Sequence, residues 1–396
     1  MFEAGTPARV LLLSNGHGED VIGAKLAREL QRQAPALQVS AFPVVGLGEA
    51  YAAAGIEVVG PRRRLPSGGL LMHSMPLFLA DLRAGFLRLT TSQYAFLLGS
   101  RSDMVIAVGD IYAQLLASLV RARTRFVVQT LVSARHAQGS DGVSPNRLFM
   151  ERITAVERLL MRTRARRVYV RDDVTEEKLR ELGVRGARFL GNPVADGLQG
   201  TPPASLTGSN RVVALLPGSR AYRTEALNAM LDTLAQLESL QPLGAAAWIG
   251  ELPPAPAGWR SLPPQDQDRG LLGEFRRGPL RVLFFRERLA DVLSAARVAL
   301  GTAGTAHEQA VAVGVPVVSF PVPPHFSQRF LANQKRLLGP ALLVCDGAGS
   351  EVAAALSGWL EDPARAQLAG KQGAARIGPA GGSAAIAADI LAHWQA

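Results

Sequence analysis

The chain has 396 residues, 48% of them hydrophobic, with 40 glycines and 25 prolines, enough apolar material for two sizeable cores joined by short turns. Lys and Arg outnumber Asp and Glu by 43 to 33 and the formal net charge is +10, so an anionic partner is expected: phosphate, anionic lipid or nucleic acid. A coding bias that puts Arg on solvated faces explains part of that excess. The single cysteine, Cys345, excludes an intramolecular disulfide and a cysteine-based zinc cluster, in keeping with a reducing compartment. No uncharged run is long enough to span a bilayer, and the first residues lack a signal-peptide profile. A soluble or peripheral cytoplasmic protein is expected.

In chain order, Val10–Leu13 is a short apolar strand ending in Ser14-Asn15-Gly16-His17-Gly18-Glu19-Asp20. A helix runs on to about Gln33, with Val21, Ile22, Leu26 and Leu30 on one face. This is the strand–loop–helix opening of an α/β domain. A dinucleotide fingerprint needs G-x-G-x-x-G, but Gly23 falls too late for it. Glu19 and Asp20 also stand where a pyrophosphate would sit. The loop suits a hydroxylated substrate, with Asp20, Glu19 or His17 near the chemistry; alternatively the two carboxylates only favour the helix start.

Val39–Val45 reads as a second strand, Gly46–Ala54 as a short helix and Ile56–Val59 as a third strand. Pro61–Gly69 is a basic loop. Leu70–Leu98 is rich in Leu, Phe and Met and suits one or two helices with a wide apolar face. Such a face, bordered by Arg83 and Arg88, can rest on an anionic membrane or receive a lipid tail; it can equally pack into the domain core. Asp103–Val108 is a buried strand that ends at Gly109-Asp110. A carboxylate at the carboxyl end of a strand lies on the ligand-binding edge of an open sheet, which makes Asp110 the best candidate for a general base. Its alternative role is an N-cap.

Arg125–Gln129 is the next strand and Asn146–Arg164 an amphipathic helix carrying Arg147, Arg152, Arg158, Arg162 and Arg164. These arginines suit anionic head groups or a solvated face. No interleaved aromatics accompany them, so nucleic-acid binding is not expected. Val168–Val170 and Arg188–Leu190 are strands around the helix Asp173–Leu182. Residues 1–196 form a first domain, and the Gly-, Pro- and Ser-rich segment 197–210 reads as a linker.

A second α/β series follows over residues 211–382. Val212–Leu216 is a strand ended by Pro217-Gly218-Ser219-Arg220, a loop suited to phosphate: Gly218 permits close approach, Ser219 donates and Arg220 supplies charge. Pro253–Gly270 reads as a loose loop. Strands over 245–249 and 280–285 and a helix over 286–295 lead to Val298–Leu300, then Gly301-Thr302-Ala303-Gly304-Thr305-Ala306-His307-Glu308. In this turn Gly301 and Gly304 allow close backbone approach to a ligand. Thr302 and Thr305 offer hydroxyls, and Glu308 can take hydrogen bonds from a diol such as ribose. The competing assignment makes Thr305 an N-cap and Glu308 the closing residue of a capping box. A later helix carries Gln328, Arg329, Asn333, Gln334 and Lys335, polar side chains for a sugar or diphosphate or for solvent. Residues 383–396 are a last helix, which can return to the first domain.

These motifs resemble the GT-B plan, an α/β fold of two Rossmann-like domains facing across a cleft. They resemble lipid-A-disaccharide synthase in particular. Leu216-Pro217-Gly218-Ser219-Arg220 reproduces that family's Leu-Pro-Gly-Ser-Arg, and Glu225 stands where it has a later Glu. Gly304-Thr305-Ala306-His307-Glu308 matches its Ser-Gly-Thr-Ala-x-x-Glu run without the Ser. Gly191-Asn192-Pro193-Val194-Ala195-Asp196 resembles its Gly-His-Pro-x-x-Asp with Asn for His, and Asp20 with Gly23-Ala24 matches its opening. The start Leu12–Asp20 is most similar to the lipid-A-disaccharide-synthase-related branch. The resemblance implies a UDP-sugar donor on the C-terminal domain and a lipid or lipid-linked acceptor on the N-terminal one. It also implies transfer without a required metal or cofactor, at the inner face of the cell membrane. In that picture Glu308 holds ribose, and Gly218, Ser219, Arg220, Gly304 and Thr305 hold the diphosphate. Asp110 stands roughly where the family has its candidate base. A UDP-sugar 2-epimerase shares the two-domain plan, and a non-catalytic sugar-nucleotide or lipid-binding protein would share the pockets.

Overall fold

Short apolar runs rich in Val, Leu and Ala become central parallel strands when helices cover both of their faces. The computed structural model describes residues 7–65, 75–137, 153–218, 222–264, 268–323 and 326–394. They divide into two units, Met1–Pro193 with Gly381–Ala396, and Val194–Ala380.

The first unit holds a sheet of β1 (Arg9–Ser14), β2 (Gln38–Pro43), β3 (Glu57–Val58), β4 (Arg101–Val108), β5 (Arg121–Gln129), β6 (Arg167–Val170) and β7 (Ala187–Arg188). Its order is β3-β2-β1-β4-β5-β6-β7, with every pair parallel. Side chains alternate between two cores. Val10, Leu12, Met104 and Ile106 face one; Leu11, Leu13, Val105 and Ala107 face the other. The first core also takes Ile386, Ala387 and Ile390 of the C-terminal helix Gly382–Trp394, against Leu26 and Leu30 of helix His17–Gln33. Gln33 Nε2 donates to Ala384 O (3.0 Å) and Tyr169 Oη to Asp389 Oδ2 (2.7 Å), fixing that helix at its start and its middle.

Several boundaries differ from expectation for local reasons. The expected helix 46–54 starts only at Glu49, because Gly46 and Gly48 take positive φ. The stretch 70–98 contains two helices, Met75–Arg83 and Phe86–Gly99. Of the amphipathic segment 146–164, Ala155–Arg164 is helical with Thr154 as its cap; residues 138–152 lie outside the described residues.

The second unit holds β8 (Val212–Leu216), β9 (Leu243–Trp248), β10 (Arg260–Leu262), β11 (Leu271–Arg277), β12 (Leu280–Arg286), β13 (Val298–Gly301), β14 (Val317–Ser319) and β15 (Leu342–Val344). The order is β10-β11-β12-β9-β8-β13-β14-β15. The expectation of a loose loop over 253–270 needs correction. Arg260–Leu262 pairs antiparallel with β11, which pairs antiparallel with β12. The sequence hides β11 because it is polar. Its buried Glu274 is matched by Arg276 (2.6 Å) and Arg281 (2.7 Å), so ion pairs take the place of apolar alternation. The segment 197–210 is ordered on this unit: Thr201 N donates to Asp291, Ala204 N and Ser205 N donate to Asp268, and Leu206 is buried.

The C-terminal helix belongs to the first unit's core, so Ile390→Ala should cost about 2–5 kcal/mol, the usual range for truncating a buried aliphatic side chain. Urea unfolding of the full chain checks this through a lower midpoint of the first unit's transition; an unchanged midpoint would contradict the docking.

Candidate active site

In an open parallel sheet, ligands bind beyond the carboxyl ends of the strands, where the strand order reverses and neighbouring loops diverge to opposite faces. Each unit has one such point. In the second unit it lies between the adjacent parallel strands β8 and β13. The loop after β8 is Pro217-Gly218 and the loop after β13 is Thr302-Ala303-Gly304. The two are tied together. Thr302 N donates to Leu216 O (3.0 Å), Thr302 Oγ1 to Pro217 O (3.4 Å) and Tyr222 Oη to Thr302 O (3.1 Å). Gly218 has φ +84°, a backbone position that favours glycine. Thr302 is fully buried, so its hydroxyl is a clamp between the loops and is not offered to a ligand. Ser219 and Arg220 lie outside the described residues.

Helix Gly304–Ala312 starts at this edge. Its N-cap is Ala303, which makes no side-chain cap bond, so the capping box expected from Thr305 and Glu308 is not formed. Thr305 instead lies exposed in the first turn. Glu308 Oε1 accepts from Gln334 Nε2 (3.2 Å), which brings two of the sequence-selected residues together. Gln334 is buried on helix Gln328–Leu338. On their Cβ side the two glycines of the turn are packed against the protein itself. A Cβ on Gly301 would lie 2.6 Å from His307 Nε2, and one on Gly304 would lie 2.6 Å from Phe330 Cζ. Each gap is filled by a ring that sequence reasoning passes over. His307 is fully buried and stands edge-on to Phe326 (5.9 Å between centroids). Burial pushes its pKa down to about 4, with the Gly301 backbone opposing.

The corresponding point of the first unit lies between β1 and β4. Asn15 follows β1 and Asp110 follows β4. Asn15 Nδ2 donates to Asp110 Oδ1 (2.6 Å), and Tyr112 N donates to the same oxygen (2.8 Å). Asp110 is therefore the N-cap of helix Ile111–Leu119 and at the same time a half-buried carboxylate on the ligand edge. Burial raises its pKa, and the bonds from Tyr112, Ala113 and Asn15 oppose that rise. Gly109 is required here, since a Cβ would lie 1.9 Å from Asn15 Oδ1. Sequence reasoning does not select Asn15; its place at the end of the first strand is the available signal.

The other three candidates separate. His17 is exposed, and its ring lies beside Gly46. Glu19 is buried and folds back over Gly16, where a Cβ would meet its Oε2 at 2.2 Å. Asp20 is buried, accepting from Ser14 Oγ (2.6 Å), which in turn accepts from Tyr51 Oη (2.9 Å). Burial lifts Asp20 to a pKa of about 7, the Ser14 bond opposes, and Glu19 and Glu49 add to the rise. A further carboxyl, Glu157, escapes the sequence reading because its helix reads as a basic surface. It is buried, takes hydrogen bonds from Gln129 Nε2 (2.6 Å) and Gln114 Nε2 (2.8 Å), and is pushed by burial to about 7. Among the described residues no group of His, Cys, Asp and Glu is placed to hold a metal ion, and no helix is long and apolar enough to cross a membrane.

No family model matches the sequence, and no curated protein matches it in sequence. Solved structures match it over nearly its whole length. The calicheamicin glycosyltransferase aligns with a TM-score of 0.60 at 17% identity, covering 98% of this chain and 98% of that one. MnaA of S. aureus, solved with UDP, gives 0.57 at 11%, covering 98% and 97%. A UDP-N-acetylglucosamine 2-epimerase gives 0.55 at 13%, covering 98% and 97%. At these identities the likeness defines the fold, which is the two-Rossmann-unit plan of GT-B glycosyltransferases.

The folded chain holds a proton on Asp20 that the unfolded chain has released between about pH 4 and pH 7. Stability therefore falls as pH rises through that window. Asp20→Asn should leave stability near pH 3 unchanged and raise it at pH 8 by up to roughly 4 kcal/mol, at about 1.4 kcal/mol for each pH unit separating the folded and unfolded pKa. Denaturant midpoints of both proteins from pH 3 to 8 measure this, and parallel curves would refute it.

Proposed function

We propose that this chain is a GT-B glycosyltransferase that moves a hexose or N-acetylhexosamine-type sugar from a UDP-sugar to a lipid or lipid-linked acceptor. The observation that carries the reading is the second unit's strand-order reversal. There a positive-φ glycine loop and a helix start, Gly218 and Gly304, are tied side by side next to the Glu308–Gln334 pair. Backbone N–H groups at such a helix start favour a diphosphate. Thr305 adds a hydroxyl there, and Ser219 and Arg220 join by their place in the motif. Glu308, oriented by Gln334, accepts from the ribose hydroxyls. The narrower likeness to lipid-A-disaccharide synthase rests on the quoted motifs, and the neighbours solved as glycosyltransferases or with UDP support the wider class.

In the first unit Asp110 serves as base, with Asn15 and Tyr112 N aligning its carboxylate. It takes the proton of the acceptor hydroxyl as that oxygen bonds to the anomeric carbon. The bond from that carbon to the β-phosphate oxygen breaks, and UDP leaves with the electron pair. Donors at the helix start and Arg220 balance the charge. Asp20, Glu19 and His17 shape the neighbouring edge. Helix Phe86–Gly99 supports a lipid acceptor and an anionic membrane surface at the cytoplasmic face, because it exposes Leu87, Tyr94 and Leu98 along one side. Neither a metal nor another cofactor takes part in this scheme.

Asp110→Asn keeps an oxygen for Tyr112 N but removes the base, so transfer should fall by about 10²–10⁴-fold with UDP affinity unchanged. Radiolabelled sugar transfer to lipid extract, alongside UDP calorimetry, reads both; wild-type turnover would remove Asp110 as base. Glu308→Ala should weaken UDP binding by about tenfold or more, the size of a lost hydrogen bond to a charged group. An unchanged dissociation constant would end its ribose role. A second reading, UDP-sugar 2-epimerase, is favoured by the full-length likeness to that enzyme. Isomerised sugar after incubation of UDP-N-acetylglucosamine without acceptor would select it.

A further inference from the structure

The ends of β4 to β6 away from Asp110 carry a different chemistry. The start of β5, the end of helix Ala155–Arg164 and the turn into β6 frame an open cavity of about 270 Å³. Among the described residues, Arg123, Arg125, Arg164 and Arg166 line it together with Thr124 and Thr163, and no carboxylate does. Arg125 is held in place: Nε donates to Ala117 O (3.3 Å), Nη2 to Val120 O (2.5 Å), and its own carbonyl accepts from Arg166 N (2.8 Å). Arg123 reaches Asp103 at 3.9 Å, a carboxylate that also accepts from Arg9 N. Burial lowers the Arg125 pKa, and the positive charge of Arg164 adds to that effect. Arg123, Arg164 and Arg166 are exposed beside Arg125, so like charges stand around one cavity, a setting that favours an anion. The planar guanidinium forks of Arg123, Arg164 and Arg166 and the Thr124 hydroxyl match the oxygens of a phosphate group.

We propose that this cavity is a phosphate-binding site, on the face of the first unit opposite its substrate edge. The group bound has two sources, free phosphate or the phosphate of a lipid headgroup. The helix that ends at the cavity exposes Val156 and Leu159 in line with Thr163, one apolar stripe leading to the arginines. Val156 and Leu159 are 58% and 56% exposed, and Thr163 Oγ1 donates to Leu159 O (2.8 Å). The site is independent of the donor site, so a failure of UDP to bind would leave it standing.

The test uses the full chain, the double variant Arg164→Gln/Arg166→Gln, and a control, Arg32→Gln/Arg180→Gln, that removes the same charge elsewhere on the first unit. Thermal unfolding establishes that all three are folded. If the double variant does not fold, Arg164→Ala alone takes its place, since that side chain is exposed. Calorimetry with inorganic phosphate, and flotation with phosphatidylcholine vesicles with and without phosphatidate, are run on each. Free phosphate as the ligand predicts binding in solution that weakens about tenfold or more in the double variant, the effect of losing charge-assisted hydrogen bonds, and stays at wild-type level in the control. A lipid headgroup as the ligand predicts flotation only with phosphatidate, lost in the double variant and kept in the control. Absence of both kinds of binding, binding unchanged in the double variant, or equal loss in the control overturns the proposal.

Discussion

The structure depends on one constraint of parallel sheets. Where the strand order reverses, the loops leaving two neighbouring strands must turn to opposite faces, and the space between them is not filled by either helix. In the second unit the reversal between β8 and β13 sets Pro217-Gly218 beside Thr302–Gly304, and Thr302 and Tyr222 lock the two loops at a fixed spacing. In the first unit the reversal between β1 and β4 does the same for Asn15 and Asp110. The candidate groups on both edges gain their positions from strand register, and short local bonds then fix their orientation.

The two edges differ in electrostatics. The second unit presents helix-start N–H groups with one polar pair, Glu308 and Gln334, alongside. His307 of this unit is kept neutral by burial and packs against Gly301 and Phe326. The first unit concentrates carboxyls: Asp20, Asp110 and Glu157 are all pushed upward by burial. Their hydrogen bonds from Ser14, Asn15, Tyr112, Gln114 and Gln129 only partly offset the desolvation. Such an arrangement costs folding stability as pH rises from about 4 to about 7.

The GT-B fold by itself hosts both transferases and epimerases, as the solved structures similar to this chain illustrate. The proposed transfer to a lipid rests on features outside the fold plan, the exposed apolar side of helix Phe86–Gly99 and the motif at 216–220. The excess of positive charge also has a local form. Part of it is paired with a buried carboxylate, as at Glu274, and part is gathered around the cavity at Arg125, where among the described residues no carboxylate is in the lining.

By itself the sequence determined the two α/β series, most strand positions and the loops that end them, because apolar runs of strand length followed by Gly-rich turns and amphipathic helices leave few alternatives. It also singled out Asp110, Gly218, Gly304, Glu308 and Gln334 as residues near ligand edges. It missed β10 and β11, where a buried glutamate held by arginines replaces the apolar signal, and it read Thr302 as ligand-facing. Only the tertiary structure decided that Thr302 is a clamp, that the gaps at the two glycines hold His307 and Phe330, and that the capping box does not form. The same holds for Asn15 against Asp110, Gln334 against Glu308, and Glu157 between two glutamines. These pairs join residues 26 to 95 positions apart. Their geometry is set by strand register and helix packing, long-range contacts that no local pattern encodes.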